Sequence, residues 1–252
     1  MQIGSQKWQK VLIEGAADLQ IELAPEICSK LTIYAQQLQI WSEKINLTAI
    51  RDPYQIAVKH FLDSMAPVGL LPPATSLLDI GAGAGFPGLP LKILRPDLTV
   101  ILIDAVRKKV SFMQHIIRIL DLENIAAIHL RAEDLVAETG CGSGSDAGVG
   151  VKTDQHRSRP VALPRFFDTV IARALTSLTS FIGMALPVLA DNGKMIALKG
   201  RQDRGEIAAA QAFLGSVESA APHGKGPWQI NIDSYRLPLI GDRRSVVTIW
   251  RR

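Results

Sequence analysis

Apolar positions along the chain fall into two rhythms, a helical one over roughly the first 70 residues and a strand-helix alternation after them. Pro25 suits a first helical turn, and Ile27, Leu31, Tyr34, Leu38 and Trp41 then recur at steps of three or four, which predicts a long helix with one buried face. Trp41 belongs to that stripe and is expected in the core. Asp52-Pro53-Tyr54-Gln55 supplies an N-cap, a proline at the first helical position and a capping-box glutamine, so a further helix is predicted there, with Ile56, Phe61, Leu62 and Met65 as its apolar side. Pro67, Gly69, Pro72 and Pro73 read as a linker. From Ser76 the pattern predicts strand 76–80, helix 87–94, strand 99–104, helix 107–121, strand 125–130, strand 167–172, helix 175–189, strand 194–199 and a helix near 204–214. Trp228–Leu237 and Ser245–Arg251 are two β-like runs joined by Pro238-Leu239-Ile240-Gly241-Asp242, and they predict an antiparallel hairpin.

Such alternation predicts an α/β fold, a doubly wound, Rossmann-like parallel sheet with a C-terminal antiparallel hairpin. The expected division is an N-terminal helical region over 1–72 and a sheet domain over 73–252. Residues 139–160 interrupt the rhythm. They are rich in Gly and Ser and poor in apolar residues, so they read as a flexible surface insertion, with His156, Arg157 and Arg159 as its cationic members.

The chain has 252 residues, 47% of them hydrophobic, enough for a sizeable core. A net charge of +4 and a pI near 9.1 fit a polyanionic partner without demanding one. Cys28 and Cys141 stand far apart, with no Cys-x-x-Cys and no histidine cluster, so no metal is expected. No run of 18 apolar residues and no signal-like N-terminus is present, and the expected location is the cytoplasm, with no membrane partner. A monomer is expected, since no coiled-coil repeat is evident.

The most informative stretch is Asp79-Ile80-Gly81-Ala82-Gly83-Ala84-Gly85-Phe86-Pro87-Gly88, which follows the first strand of the alternation. Glycines at 81 and 83 permit a tight turn and let the backbone approach a ligand, and the helix behind them is expected to present its free N–H groups there. The spacing is Gly-x-Gly-x-Gly, not the Gly-x-Gly-x-x-Gly of dinucleotide sites. Asp79 just before it disfavours a pyrophosphate and suits a cationic ligand. S-adenosylmethionine carries a sulfonium, an ammonium and no phosphate. Asp104, ending the second strand, can accept hydrogen bonds from both hydroxyls of a ribose, and Arg131-Ala132-Glu133-Asp134 after the third strand can meet an adenine edge.

Further segments carry a family resemblance. Asn46-Leu47-Thr48, Arg51-Asp52, His60-Phe61-Leu62-Asp63-Ser64, the glycine loop through Phe86-Pro87-Gly88, Arg131-Ala132-Glu133-Asp134, Ala172-Arg173-Ala174, Leu198-Lys199-Gly200 and Arg243-Arg244-Ser245-Val246-Val247 occur in an order that resembles the bacterial small-subunit ribosomal RNA guanine-N7 methyltransferases, also called glucose-inhibited division protein B. The resemblance runs from about residue 30 to the C-terminus and implies methylation, with S-adenosylmethionine as donor, of N7 of a guanine in the decoding-region loop of 16S rRNA (position 527 in rRNA numbering). It implies that Gly81 and Phe86 line the cofactor loop, Asp104, Ala105 and Val106 the ribose end, and Ala132 and Glu133 the adenine end, with Arg173 closing the site; the reading of the loop itself adds Asp79, Gly83 and Gly85 to the expected cofactor contacts. Ala82 stands where the family commonly has threonine, and 139–160 is longer than usual for it.

Guanine N7 carries a lone pair and no proton, so the reaction implied needs positioning and no catalytic base. Charge flows onto the purine during transfer, which casts Arg173, Lys199 and Arg243 as binders of O6, phosphate or cofactor, each with an ion-pair partner as the alternative role. Asn46 and Thr48 are either turn caps or a wall of the guanine pocket; His60 and Asp63 are either packing residues or site residues. Arg107-Lys108-Lys109 is a candidate RNA-facing patch. The expected partner is 16S rRNA within the small ribosomal subunit, with no DNA. Two rivals stay open, a nicotinamide-dependent oxidoreductase and a non-catalytic RNA-binding module on the same fold; the glycine spacing and Asp79 disfavour the first, and the intact loop disfavours the second.

Overall fold

Ser5 accepts the Trp8 N–H and starts α1 (Gln6–Asp18), which Leu19 and Gln20 close by bonding back into its last turn. In this computed structural model, residues 1–134, 164–174, 177–200, 204–220 and 226–251 are described. The expected insertion over 139–160 lies outside them. Helix α2 (Pro25–Ser42) buries Leu31, Tyr34, Ala35 and Leu38 along the face that its periodicity marks, with Trp41 half-buried against Phe112 at 5.5 Å.

The next helix starts where the capping signal places it, Asp52 accepting the Gln55 N–H at 2.9 Å, but it is not regular. After α3 (Pro53–Ile56) the backbone widens into a π-helical stretch (Ala57–Leu62) and then resumes as α4 (Asp63–Met65). Residues 60 to 65 are all buried, because α1 and α2 cover one side of this stretch and the sheet end the other. Gly15 of α1 packs so closely on it that a Cβ there would lie 2.1 Å from Leu62 Cδ1. Trp8, from the N-terminal segment that carries no family motif, is fully buried, donates to the Pro53 carbonyl at 2.9 Å and meets Phe61 edge-on.

Among the described residues the strands are β1 (Ser76–Ile80), β2 (Thr99–Asp104), β3 (Ile125–His129), β4 (Phe167–Arg173), β5 (Leu189–Lys199), β6 (Trp228–Arg236) and β7 (Arg243–Arg251). Their order is β3-β2-β1-β4-β5-β7-β6, with β1 to β5 parallel and β7 antiparallel to both its neighbours. The helices described between them are α5 (Gly88–Leu94), α6 (Arg107–Ile119), α7 (Leu178–Ala185) and α8 (Arg204–Ala220). The sheet is covered on both sides. Val100 and Leu102 of β2 join one apolar cluster with α1, α2, α5 and α6, while Ile101 and Ile103 join another with α7 and α8, which is why the strand reads as a continuous apolar run.

Three boundaries differ from the sequence reading. The helix expected at 175–189 is shorter, since Pro187 has no N–H to donate and the chain tightens into a 3₁₀ turn over Leu186–Val188. Strand β5 starts earlier than 194, and its pairing with β4 shifts register between Phe167 and Thr169 to accommodate residues 190–193. Helix α8 continues past Gly215, and its Glu218 accepts the Trp228 N–H that starts β6. No helix among the described residues is long and apolar enough to cross a membrane.

Candidate active site

Because β2 and β3 lie on one side of β1 and β4 lies on the other, successive crossovers leave β1 in opposite directions, and a crevice opens at the carboxyl ends of β1 and β4. The glycine loop leaves β1 into that crevice. Gly81, Gly83 and Gly85 all have positive φ, at 68°, 61° and 94°, a region that a side chain disfavours. They serve different purposes. Gly83 has nothing closer to a Cβ position than the Gly81 carbonyl at 3.9 Å, so its missing side chain leaves space open to a ligand. At Gly85 a Cβ would fall 2.2 Å from Leu89 Cδ1 and 2.9 Å from the Tyr34 hydroxyl, so this glycine serves inward packing.

The free helix N-terminus expected behind the loop is absent. Asp79 Oδ2 accepts the Gly88 N–H at 2.7 Å and the Gly85 carbonyl accepts the Leu89 N–H at 2.8 Å, so the first amides of α5 are already satisfied. Asp79 itself is wholly buried beneath the loop, and its Oδ1 has no partner. Burial pushes its carboxyl up to about 7, against the opposing pull of the Gly88 amide and of Arg173. Gly85 and Phe86 are likewise beneath the surface, so of the expected loop contacts only Gly81 and Gly83 are accessible.

Asp104 ends β2 at the lip of the crevice. Its Oδ2 accepts the Gly83 N–H at 2.9 Å and faces Lys109 Nζ at 3.9 Å, and its Oδ1 accepts the Val106 N–H at 2.8 Å, so Lys109 is an ion-pair partner of the largely buried carboxylate and the capacity left for hydroxyl donors is chiefly on Oδ1. Ala105 and Val106 beside it are exposed. The Leu130 N–H donates to the Asp104 carbonyl at 3.3 Å and the His129 ring to the Ala105 carbonyl at 3.0 Å, which draws the 3₁₀ turn of Ala132–Asp134, with Glu133, alongside. Arg107 and Lys108 are exposed on the first turn of α6, which has no acidic residue to offset them against the helix dipole.

Arg173 emerges from the end of β4 into a polar cluster. Its guanidinium lies 5.0 Å from the centroid of the Phe86 ring, donates to the Lys59 carbonyl at 3.1 Å, and reaches Asp63 Oδ2 at 3.5 Å and His60 Nδ1 at 3.3 Å. Arginine has no acceptor, so His60 Nδ1 must accept and Nε2 carries the proton, donated to Thr48 Oγ1 at 2.7 Å. Burial and the facing Arg173 hold the imidazole neutral, with its pKa down at about 3. His60 also stacks on Phe86 at 4.8 Å, and Tyr34 stacks on the same ring at 5.1 Å. The wide π-helical stretch is what presents His60 to the loop and, one residue past its end, Asp63 to Arg173.

The other expected contacts disperse. Lys199, at the end of β5, is held by Glu206 Oε1 at 2.6 Å, an oxygen that also accepts the Leu178 N–H at 2.7 Å. Asn46 is exposed on the turn after α2, and Thr48 next to it caps the Ile50 N–H at 3.1 Å while touching His60. Arg243 is exposed at the start of β7, opposite Arg236. Sequence reasoning missed Tyr34, Tyr235 and Arg244. Tyr34 fits the apolar stripe of α2, and the available signal was its hydroxyl, which needs a partner when buried. Tyr235 and Arg244 come from the hairpin, and nothing local links them to a helix so far away in sequence.

A family model described as rRNA small subunit methyltransferase G (GidB) matches residues 27–144. Proteins named ribosomal RNA small subunit methyltransferase G are similar along almost the whole chain. The one from Geobacter sulfurreducens is 38% identical over 240 residues, 95% of this chain and 96% of the relative; that from Geobacter sp. strain M21 is 35% identical over 246 residues, 98% and 99%. Among solved structures, TrmN from Thermus thermophilus superposes with a TM-score of 0.50 at 14% identity, covering 76% of this chain and 48% of that one, a likeness of fold alone. With a glycine loop at the switch point of a doubly wound sheet, and this similarity over nearly its full length, the chain belongs to the rRNA small subunit methyltransferase G family.

Proposed function

We propose that this protein methylates N7 of a guanine in the 16S rRNA of the small ribosomal subunit, with S-adenosylmethionine as donor. The observation that carries the choice of acceptor is His60. It is the imidazole stacked on the loop's Phe86 beside Arg173, its Nδ1 faces Arg173 and its Nε2–H is given to Thr48, so it has no lone pair free to take a proton from a substrate. An acceptor atom that is a lone pair without a proton needs none.

The residues suit the donor. Gly83 leaves open space at the loop, and Asp104 ends its strand with acceptor capacity for ribose hydroxyls. When bound, S-adenosylmethionine supplies an electrophilic methyl group on a sulfonium. The chain's part is to orient. Gly81 and Gly83 would floor the site, Asp104, Ala105 and Val106 would hold the ribose end, and Ala132 and Glu133 the adenine end. Arg173 over Phe86 would contact O6 or a phosphate, away from the imidazole edge of the purine, where a cation would oppose the developing charge. Arg243, with Arg107 and Lys108, would meet RNA phosphates. Lys199 is not carried forward as an RNA contact, because Glu206 already holds it. In this reading residues 1–72 form the wall of the crevice that carries His60 and Asp63, and 73–252 carry the cofactor site.

The test is incubation of the protein with labelled S-adenosylmethionine and small subunits that lack the modification, followed by borohydride and aniline cleavage. Cleavage at a single guanine is expected. Label incorporated without cleavage would overturn the N7 assignment.

A further inference from the structure

The Asp63 carboxylate is 7% exposed at residue level and is bracketed by three donors from three different parts of the fold. Arg173 Nη1 approaches Oδ2 at 3.5 Å from β4, the Tyr235 hydroxyl donates to Oδ1 at 2.9 Å from β6, and Arg244 Nε approaches Oδ1 at 3.4 Å from β7. Two more contacts bind the same hairpin to the same helix, Tyr54 with the Leu239 carbonyl at 3.3 Å and Lys59 with Asp242 at 3.8 Å. On Asp63, therefore, the hairpin, the end of β4 and the π-helical turn meet.

We propose that Asp63 is a positioning residue, which fixes the Arg173 guanidinium over Phe86 and ties that placement to the seating of the β6–β7 hairpin. The inference rests on the methyltransferase reading of the crevice. Arg173 has a neutral imidazole, a carbonyl and a ring as its other partners, so among the described residues Asp63 is the one full negative charge it touches, and it supplies the directional pull that the others lack. Tyr235 and Arg244 in turn hold the carboxylate where it can do this. With Tyr235 aimed at it, neither Asp63 oxygen is left to rotate toward solvent, and a shift of the hairpin would move Asp63 and Arg173 together.

The test uses full-length protein and small subunits lacking the modification. Asp63→Asn keeps the shape and an acceptor for Tyr235 but removes the charge that holds Arg173. Expected is a kcat lower by about tenfold to a hundredfold, the loss that a misplacement on the scale of 1 Å brings, with the KM for subunits changed less than about threefold. Tyr235→Phe should lower kcat in the same direction by less, Asp63→Glu should restore part of it, and the double variant Asp63→Asn/Tyr235→Phe should be no slower than Asp63→Asn alone. An activity-free readout is the Arg173 side-chain NMR signal, expected upfield from the Phe86 ring current in the wild type and displaced in Asp63→Asn. If Asp63→Asn does not fold, Tyr235→Phe alone decides. A kcat within twofold of wild type in the folded variant, additive losses in the double variant, or an unmoved Arg173 signal would each overturn the inference. Absence of methylation by the wild-type protein would instead defeat the functional reading on which it rests.

Discussion

The Tyr34 hydroxyl donates to the carbonyl of Ala84, so a residue in the middle of an N-terminal helix pins the glycine loop from below. The same side chain stacks on Phe86 with 15° between the rings, which ties two points of the loop to α2. Tyr34→Phe keeps the stacking and orphans a buried carbonyl, a loss of about 1–3 kcal/mol. The expected outcome is a lower melting temperature together with weaker S-adenosylmethionine binding in calorimetry. Equal affinity in a destabilised variant would show that loop geometry does not depend on this bond.

The loop glycines separate into a packing position and a ligand-facing one. Gly85→Ala forces a Cβ into Leu89 and the Tyr34 hydroxyl from a φ of 94°, and should cost about 3 kcal/mol or more. Gly83→Ala, at φ 61° with open space around it, should cost only about 1–2 kcal/mol and spend its effect on the cofactor instead. Thermal melts and cofactor titrations of the two variants check the contrast, and a reversed order of stabilities would contradict it.

Asp79 makes a pH-dependent contribution whose sign follows from its raised pKa. In the unfolded chain its carboxyl ionises near 3.8, in the folded chain near 7, so the folded state binds the extra proton between those values and stability from this group falls as pH rises through that window. His60 acts oppositely. Its depressed folded value, about 3 against 6.5, costs stability as pH falls below 6.5. Asp79→Asn removes only the first term and can still accept the Gly88 N–H. The stability of the variant relative to wild type should therefore rise between pH 4 and pH 7, by up to about 4 kcal/mol, in denaturant titrations; a difference independent of pH would contradict the buried, unpartnered carboxyl.

Lys199 and Arg243 should behave differently although both were candidate RNA binders. Lys199→Met leaves Glu206 with a partly buried, unpaired charge and one amide, so the melting temperature should drop while the KM for subunits at permissive temperature holds.

Arg243→Ala should leave stability unchanged and weaken RNA binding over all sequences tested, with the salt dependence of binding reduced by about one unit of slope. Filter binding at several ionic strengths reads this directly, and an unchanged slope would remove Arg243 from the RNA surface.

The architecture is legible in the amino-acid sequence alone. Continuous apolar strands, their alternation with helices and the capping signals at Asp52 and Pro25 are local properties, and local periodicity reports burial wherever one face or both faces of an element are covered. The family is legible there too, because the glycine loop and its companion motifs are contiguous strings of residues. What those residues touch follows from folding, which joins distant parts of the chain. The carboxylate before the glycines lies under the loop and caps α5, since β1 is a central strand and its end is roofed by the turn that follows. One helix that read as regular opens into a π-helical stretch and so brings His60 and Asp63 to Arg173 across more than a hundred residues of chain. Tyr34, Tyr235 and Arg244 were illegible for the same reason. Their partners are distant in sequence, and a hydroxyl or guanidinium shows its purpose only when folding sets a carbonyl, a ring or a carboxylate beside it.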